Sequence, residues 1–431
     1  MGTRNFFRLS VSALSLGLWV AIAAGADVFP VDVSGDKFTL YTDPNTGAVI
    51  RLGGFSGLVP AWGTKNGKIF HVINDRGPTV DGPTGGKAFP IPDYTPSIIT
   101  ILLRKDGTGQ VLKVLPLRKP GGNPISGVPN ACYTAEDPIL DLSGNPLPRD
   151  PDGQDLEGLT PGPGGTFWIC DEYLPSVSLV HPDGTVTLRL VPEGATCGGE
   201  VIPTVELLPK VLRKRRQNRG FEGITLTEGG KLYATLQRPL NNPTQAVGNA
   251  SRNIRLVEID VEKALGGQSG AVRQLLYLTE TPASANILLS DLYAIDDGVI
   301  LVSERRTDKV FSVRISTASD ITGLEDADGN LLTPVGSKTT IEQLTEAELT
   351  SIGVSTLKKA VVYSGLVAID PALDKVEGMA LVGNTLFVTA DNDFDLTGLA
   401  DYTTTPWTPL FQSPSNPPRI FKIPLASVPV P

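Results

Sequence analysis

The chain is expected to be an all-β protein of the β-propeller type. Three features predict this: a motif that recurs five times, a short strand in every copy, and turn residues spread along the whole length. Forty-six glycines and 36 prolines in 431 residues are too many for a helical protein and suit short strands joined by tight turns. No low-complexity block accounts for them.

Taken in chain order, the first 26 residues read as a secretory signal peptide. Arg4 and Arg8 precede the apolar run VSALSLGLWVAIAA, and Ala24 and Ala26 place small residues at a cleavage site. The run is short for a bilayer span, and no later segment is apolar enough to form one. The remainder, 27–431, is expected to form one domain that works in the periplasm or outside the cell. Losing Arg4 and Arg8 takes the net charge from −9 to about −11. Such a surface argues against nucleic acid as a partner and is compatible with cation binding. Export permits a disulfide, and Cys132 with Cys197 is the expected pair, since both lie in loop-like sequence. Cys170, inside the strand TFWIC, is expected to be a buried thiol.

The repeats start at Ser56, Glu157, Glu222, Asp291 and Glu377, and all but Asp291 are followed by glycine. Each start leads through a polar turn into a strand: KIFHVI, TFWIC, KLYATL, VILVS and TLFVTA. These strands are short and rich in aromatic or β-branched residues. They end on polar acceptors, Asn74, Glu172, Gln237, Glu304 and Asp391. A second strand follows in every copy: SIITILL, SVSLV, IRLVEID, KVFSVRI and RIFKIPL. A unit of antiparallel strands cannot bury its own apolar face, so copies must stack, and a ring leaves no open ends. Spacings of 65 to about 100 residues fit four-stranded blades with insertions better than solenoid turns. Five units are visible and a sixth would fit; a β-sandwich with a second domain is the alternative. Closure is expected between RIFKIPL and the N-terminal strands KFTLYT and AVIRL. Two insertions interrupt the pattern: an irregular excursion over 116–154, and a helix over 339–358 capped by Thr339 or Thr340, with Leu344, Leu349, Ile352 and Leu357 on one face.

In a propeller the innermost strands line a central channel, so the repeat phase predicts a ring of Glu157, Glu222, Asp291 and Glu377. Glu172, Gln237, Glu304 and Asp391 would extend it. Converging carboxylates repel unless a cation neutralises them, and oxygen ligands suit a hard divalent ion such as Ca²⁺. With only His71 and His181, zinc or copper is disfavoured, and a Ser-His-Asp triad finds little support. The same glutamates could instead serve architecture by accepting backbone N–H groups. Arg76, Arg238, Arg305 and Arg306 stand beside the acceptors and could hold an anion or pair with neighbouring acids. The basic run KVLRKRRQNRG, 210–220, reads as a solvated face more readily than as an anion guide.

The stretches DRGPTVDGP, FPIPDYTPSI, DLEGL with FWICDEYLPSV, NRGFEGITLTEGGKLYATLQRPL and KVEGMALVGNTLFVTADND together resemble the phytase-like family, also described as having esterase-like activity of phytase. The resemblance covers nearly the whole chain after the leader. It implies a secreted or periplasmic β-propeller, related in concept to calcium-dependent propeller phytases, that hydrolyses phosphate or carboxyl esters. It carries over Asp75 and Arg76 of the DRG turn, Glu157, Glu222 and Glu377 of the Glu-Gly repeats, and Asp171 with Glu172. The lysine-rich phosphate-binding pattern of characterised propeller phytases is not evident. The expectation is therefore a metal-dependent hydrolase of a small anionic or ester substrate, working as a monomer. Its ion would be held by Glu157, Asp171, Glu172, Glu304, Glu377 and Asp391, with Glu222 and Asp75 catalytic and Arg76, Arg238 and Arg305 on the substrate. A non-catalytic ligand- or cation-binding propeller and a lactonase-like propeller are the alternatives.

Overall fold

The computed structural model describes residues 25–61, 67–130, 137–285 and 287–431. The expected leader, apart from its last two residues, and Cys132 lie outside them. Cys197 is disulfide-bonded and Cys170 is a buried free thiol.

The architecture is that of a β-propeller. The first unit runs Phe55–Pro60, Ile69–Asn74, Ser97–Leu103 and Gly109–Pro116. The second runs Leu156–Pro161, Phe167–Asp171, Ser176–Val180 and Val186–Pro192, with Thr204–Leu208 added in parallel at its edge. The third comprises Phe221–Leu226, Lys231–Leu236, Asn253–Asp260 and Val272–Leu278, and the fourth Leu288–Ala294, Val299–Arg305, Lys309–Arg314 and Lys358–Ser364. The fifth takes Val376–Val382, Thr385–Ala390 and Arg419–Pro424 and borrows its outer strand, Asp27–Asp32, from the other end of the chain. Both strands anticipated in each repeat are present.

Ring closure differs from expectation. The C-terminal strand pairs antiparallel with Asp27–Asp32, in register from Asp27 opposite Lys422 to Pro30 opposite Arg419. KFTLYT and AVIRL pair with each other instead, as Thr39–Thr42 with Val49–Arg51. The closing strand begins where the expected leader ends. Beyond Pro30, Val31 and Asp32 pair in parallel with Gly109 and Gln110 of the first unit, joining first and fifth units into one sheet.

The core lies between units, as stacked sheets require. Ile73, Ile98 and Leu115 of the first unit pack with Leu159, Phe167 and Ile169 of the second. Leu301 and Val310 of the fourth meet Met379, Val388 and Phe421 of the fifth, and Phe70 and Ile99 meet Phe387 and Ile420 where the ring closes. His71 belongs to this packing. Its ring is edge-on to Phe167 and bonded to Thr100, and burial, then Lys113, lowers its pKa to about 4. His181 is exposed in a turn.

The helix expected over 339–358 is two short pieces. A 3-10 turn, Ile341–Gln343, is closed by a Thr340–Gln343 capping box, and an α-helix, Glu346–Ser351, is closed by a second box from Thr345 and Glu348. Two capping threonines five residues apart start two helices rather than one. Leu344, Leu349 and Ile352 of the expected face pack with Leu276, Ile321 and Leu331, but Leu357 lies past the helix and packs instead in the larger core that includes Val313 and Ile315. In the 116–154 excursion, Ile139–Asp141 pairs with Lys87–Phe89 beside the channel mouth.

Candidate functional site

The Glu-Gly repeat has a local cause. In the second, third and fifth units the innermost strand carries a β-bulge, between Leu156 and Gly158, Phe221 and Gly223, and Val376 and Gly378. The extra residue is the glutamate, and a bulge re-aims a side chain that regular alternation would place in a sheet face. The glycine is needed because neighbouring inner strands touch there. A Cβ on Gly223 would stand 2.4 Å from the Ser290 carbonyl oxygen, and one on Gly158 2.9 Å from the Ile224 nitrogen. Glutamate faces the channel, and glycine lets the ring close around it.

A cavity of about 910 Å³ opens at this mouth. On one wall, Asp155, Glu157 and Glu172 bring carboxylate oxygens within 4.8 Å of one another, all three buried. Ser56, the first repeat's start, donates its hydroxyl to Glu157 Oε2 at 2.8 Å. Arg76 Nη1 lies 2.8 Å from Asp155 Oδ2 and Arg219 Nη1 lies 3.0 Å from Glu172 Oε1. Burial, with Glu222 and Asp155 nearby, pushes the Glu157 carboxyl well above the usual range. Burial raises Glu172 to about 7 against the pull of Arg219.

Beside this group an arginine ties acids from two units. Arg305 Nη1 is 2.7 Å from Glu377 Oε1 and 3.4 Å from Glu222 Oε1. Gln237 Nε2 donates to the same Glu222 oxygen at 2.5 Å. The remaining acceptors, Glu222 Oε2, Glu377 Oε2 and Gln237 Oε1, are buried without a partner. Burial, Glu172 and Glu377 raise Glu222 well above the ordinary carboxyl value. Asp75, which accepts from the Gly77 N–H at 2.9 Å, is raised likewise by burial, Asp391 and Asp155. Asp391 is part-buried, yet Lys375 and the Asp393 N–H hold it below the ordinary value.

The four ring acids therefore do not share one point. Asp291 accepts from the N–H groups of Leu292 and Met379, each at 2.8 Å, which is the architectural role. Asp171 accepts from Asp155 N and Tyr173 N, both at 3.0 Å. Glu304 accepts from Tyr277, Lys359 and the Glu280 N–H, away from the cavity lining. Arg238 donates to the Ala283 carbonyl, and Arg306 pairs with Asp374 at 3.3 Å while lining the cavity. Asp75, Arg76, Glu157, Glu172, Glu222, Arg305, Glu377 and Asp391 all line it. Asn74 does not: it bonds Tyr94 and the Ser97 N–H. Its pairing with Phe55 matches that of Asp171 with Leu156, so Asp75 is the true counterpart of Glu172.

Sequence reasoning passed over Asp155, Arg216, Arg219 and Lys375. Asp155 precedes a Glu-Gly pair, but no other repeat has an acid at that place. Arg216 and Arg219 belong to the run expected to be solvated, yet both line the cavity. The sequence signal was Asn218-Arg219-Gly220, which echoes Asp75-Arg76-Gly77; the two segments meet where Arg76 donates to Asn218.

A family model described as "Phytase-like: Esterase-like activity of phytase" matches residues 50–394. An uncharacterized secreted protein of Arthroderma benhamiae is 28% identical over 181 residues, covering 35% of each chain. The match spans about a third of that relative's length. Among solved structures, Myxococcus xanthus glutaminyl cyclase is 11% identical with a TM-score of 0.35, over 86% of this chain and 90% of that one. Virginiamycin B lyase from Staphylococcus aureus is 10% identical with a TM-score of 0.32, over 93% and 100%.

Proposed function

The chain belongs to the phytase-like family, and from that premise we propose that it is an exported, metal-dependent hydrolase of phosphate or carboxyl esters. Its site would be the channel mouth. The observation that carries this reading is the buried Asp155–Glu157–Glu172 group with Arg76 and Arg219 beside it. Three acids held so close in a buried site suit a hard divalent ion of the Ca²⁺ type, and without one burial raises Glu157 and Glu172. Such an ion, when bound, supplies polarisation of an ester oxygen and a more acidic water.

The chain's own residues account for the rest. Arg76, Arg216 and Arg219 line the mouth and would hold the substrate's anionic group. Glu222 would act as general base through Oε2, the oxygen without a partner, while Gln237 and Arg305 fix Oε1. A raised pKa makes such a carboxylate a better proton acceptor near neutrality. Asp75, also on the cavity lining, would be the second proton-handling group. Export is supported by the leader expected from the sequence and by a relative named as secreted. No helix among the described residues is long and apolar enough to cross a membrane.

The test is hydrolysis of p-nitrophenyl phosphate and p-nitrophenyl acetate by chelator-treated protein, with and without Ca²⁺. Turnover restored by Ca²⁺ is expected. No turnover of either ester under any metal condition would favour a non-catalytic binding propeller using the same mouth.

A further inference from the structure

Arg305 occupies a place where other units present oxygen. The second strand of the fourth unit extends through Arg305, whereas its counterparts end at Asp171, Leu236 and Ala390. In those units the chain turns just afterwards and sets Glu172, Gln237 and Asp391 on the cavity. In the fourth unit Glu304 stays within the strand and bonds Tyr277 and Lys359, and the next residue, a guanidinium, reaches the cavity.

We infer that Arg305 is a built-in cation that keeps a second divalent ion out of the channel and confines metal binding to Asp155, Glu157 and Glu172. The inference rests on the cation reading above. Glu222, Gln237 and Glu377, only 2%, 2% and 6% exposed, each have a buried oxygen without a partner, and two of the three are carboxylates. By donor chemistry that set suits a second hard ion. Arg305, 8% exposed, already bonds both carboxylates and cannot swing into water without breaking those contacts. A divalent ion beside it would meet a like charge in a poorly screened place. The arginines at the first group each bond one of its three carboxylates rather than two, Arg219 with a third of its side chain in solvent and Arg76 16% exposed.

Equilibrium dialysis against Ca²⁺ tests this on the whole protein. Wild type should bind one ion per chain, Arg305→Met two, and Arg305→Lys one. Adding Glu377→Gln to Arg305→Met should return the count to one and so locate the extra ion. Equal counts for wild type and Arg305→Met, or two ions in wild type, would overturn the inference. If wild type binds none while Arg305→Met gains one, exclusion of an ion by Arg305 holds and the reading of the Asp155 group fails. Should Arg305→Met not fold, Mn²⁺-soaked wild-type crystals decide. An anomalous peak among Glu222, Gln237 and Glu377 refutes the inference, and its absence beside a peak at Asp155 supports it.

Discussion

Replacing Arg76 by methionine keeps the apolar stem and removes the guanidinium that lies 2.8 Å from Asp155 Oδ2. Asp155 is 1% exposed, and Arg76 gives it both that bond and a backbone N–H at 3.1 Å. Breaking a buried pair from one side leaves an uncompensated charge and costs about 3–5 kcal/mol. Unfolding entropy near 2.1 cal/mol/K per residue gives ~0.85 kcal/mol/K over about 405 residues, so Tm should fall by ~4–6 °C. Calorimetry at pH 8 in chelator measures it. The double variant Arg76→Met/Asp155→Asn should lose less than the two single variants combined, because it removes both halves of the pair. Ca²⁺ should raise the Tm of Arg76→Met more than that of wild type, since an additional carboxylate is then free for it. An Arg76→Met protein that melts within 1 °C of wild type, with no coupling in the cycle, would refute the reasoning.

Gly223→Ala places a Cβ 2.4 Å from the Ser290 carbonyl oxygen, so the inner strands must part; a loss of about 3 kcal/mol or failure to fold is expected by denaturant titration. Glu222→Gln should lower kcat by roughly 10²–10⁴-fold with little change in KM or Ca²⁺ affinity, read by steady-state kinetics. Glu172 has a folded pKa raised to about 7. Its contribution to stability is therefore full below the unfolded value near 4.5 and lost as pH rises through 7, on the order of 3 kcal/mol. Chelated protein should melt lower at pH 8 than at pH 5, and Ca²⁺ should restore stability mainly at pH 8.

The fold was legible because its signal is periodic. The five starts and ten following strands were read from turn residues and β-branched runs, which are local properties of the chain. The closing strand was not legible: DVFPVD is short, carries a proline, and gains its place only from a partner about 390 residues away. The site was legible where the bulge repeats it, at Glu157, Glu222 and Glu377. It was hidden where function depends on how far a strand runs. One more residue in strand geometry sends Glu304 away from the cavity and Arg305 into it. Asn74 stands in the repeat where Asp171, not Glu172, stands in the second unit, because strand register is set by the paired strand and not by the local sequence. Arg219 was misread because a basic run usually faces water, whereas here Glu172 draws it inward.

Titration of Ca²⁺ into wild type and Glu157→Gln most directly tests whether Asp155, Glu157 and Glu172 hold the ion on which hydrolysis depends. Ser56 can still donate to the new amide oxygen, so the substitution should leave the fold intact. The account predicts binding by wild type and at least a ~100-fold weaker affinity for the variant, ~2.7 kcal/mol. Equal affinity in a folded Glu157→Gln protein would contradict it.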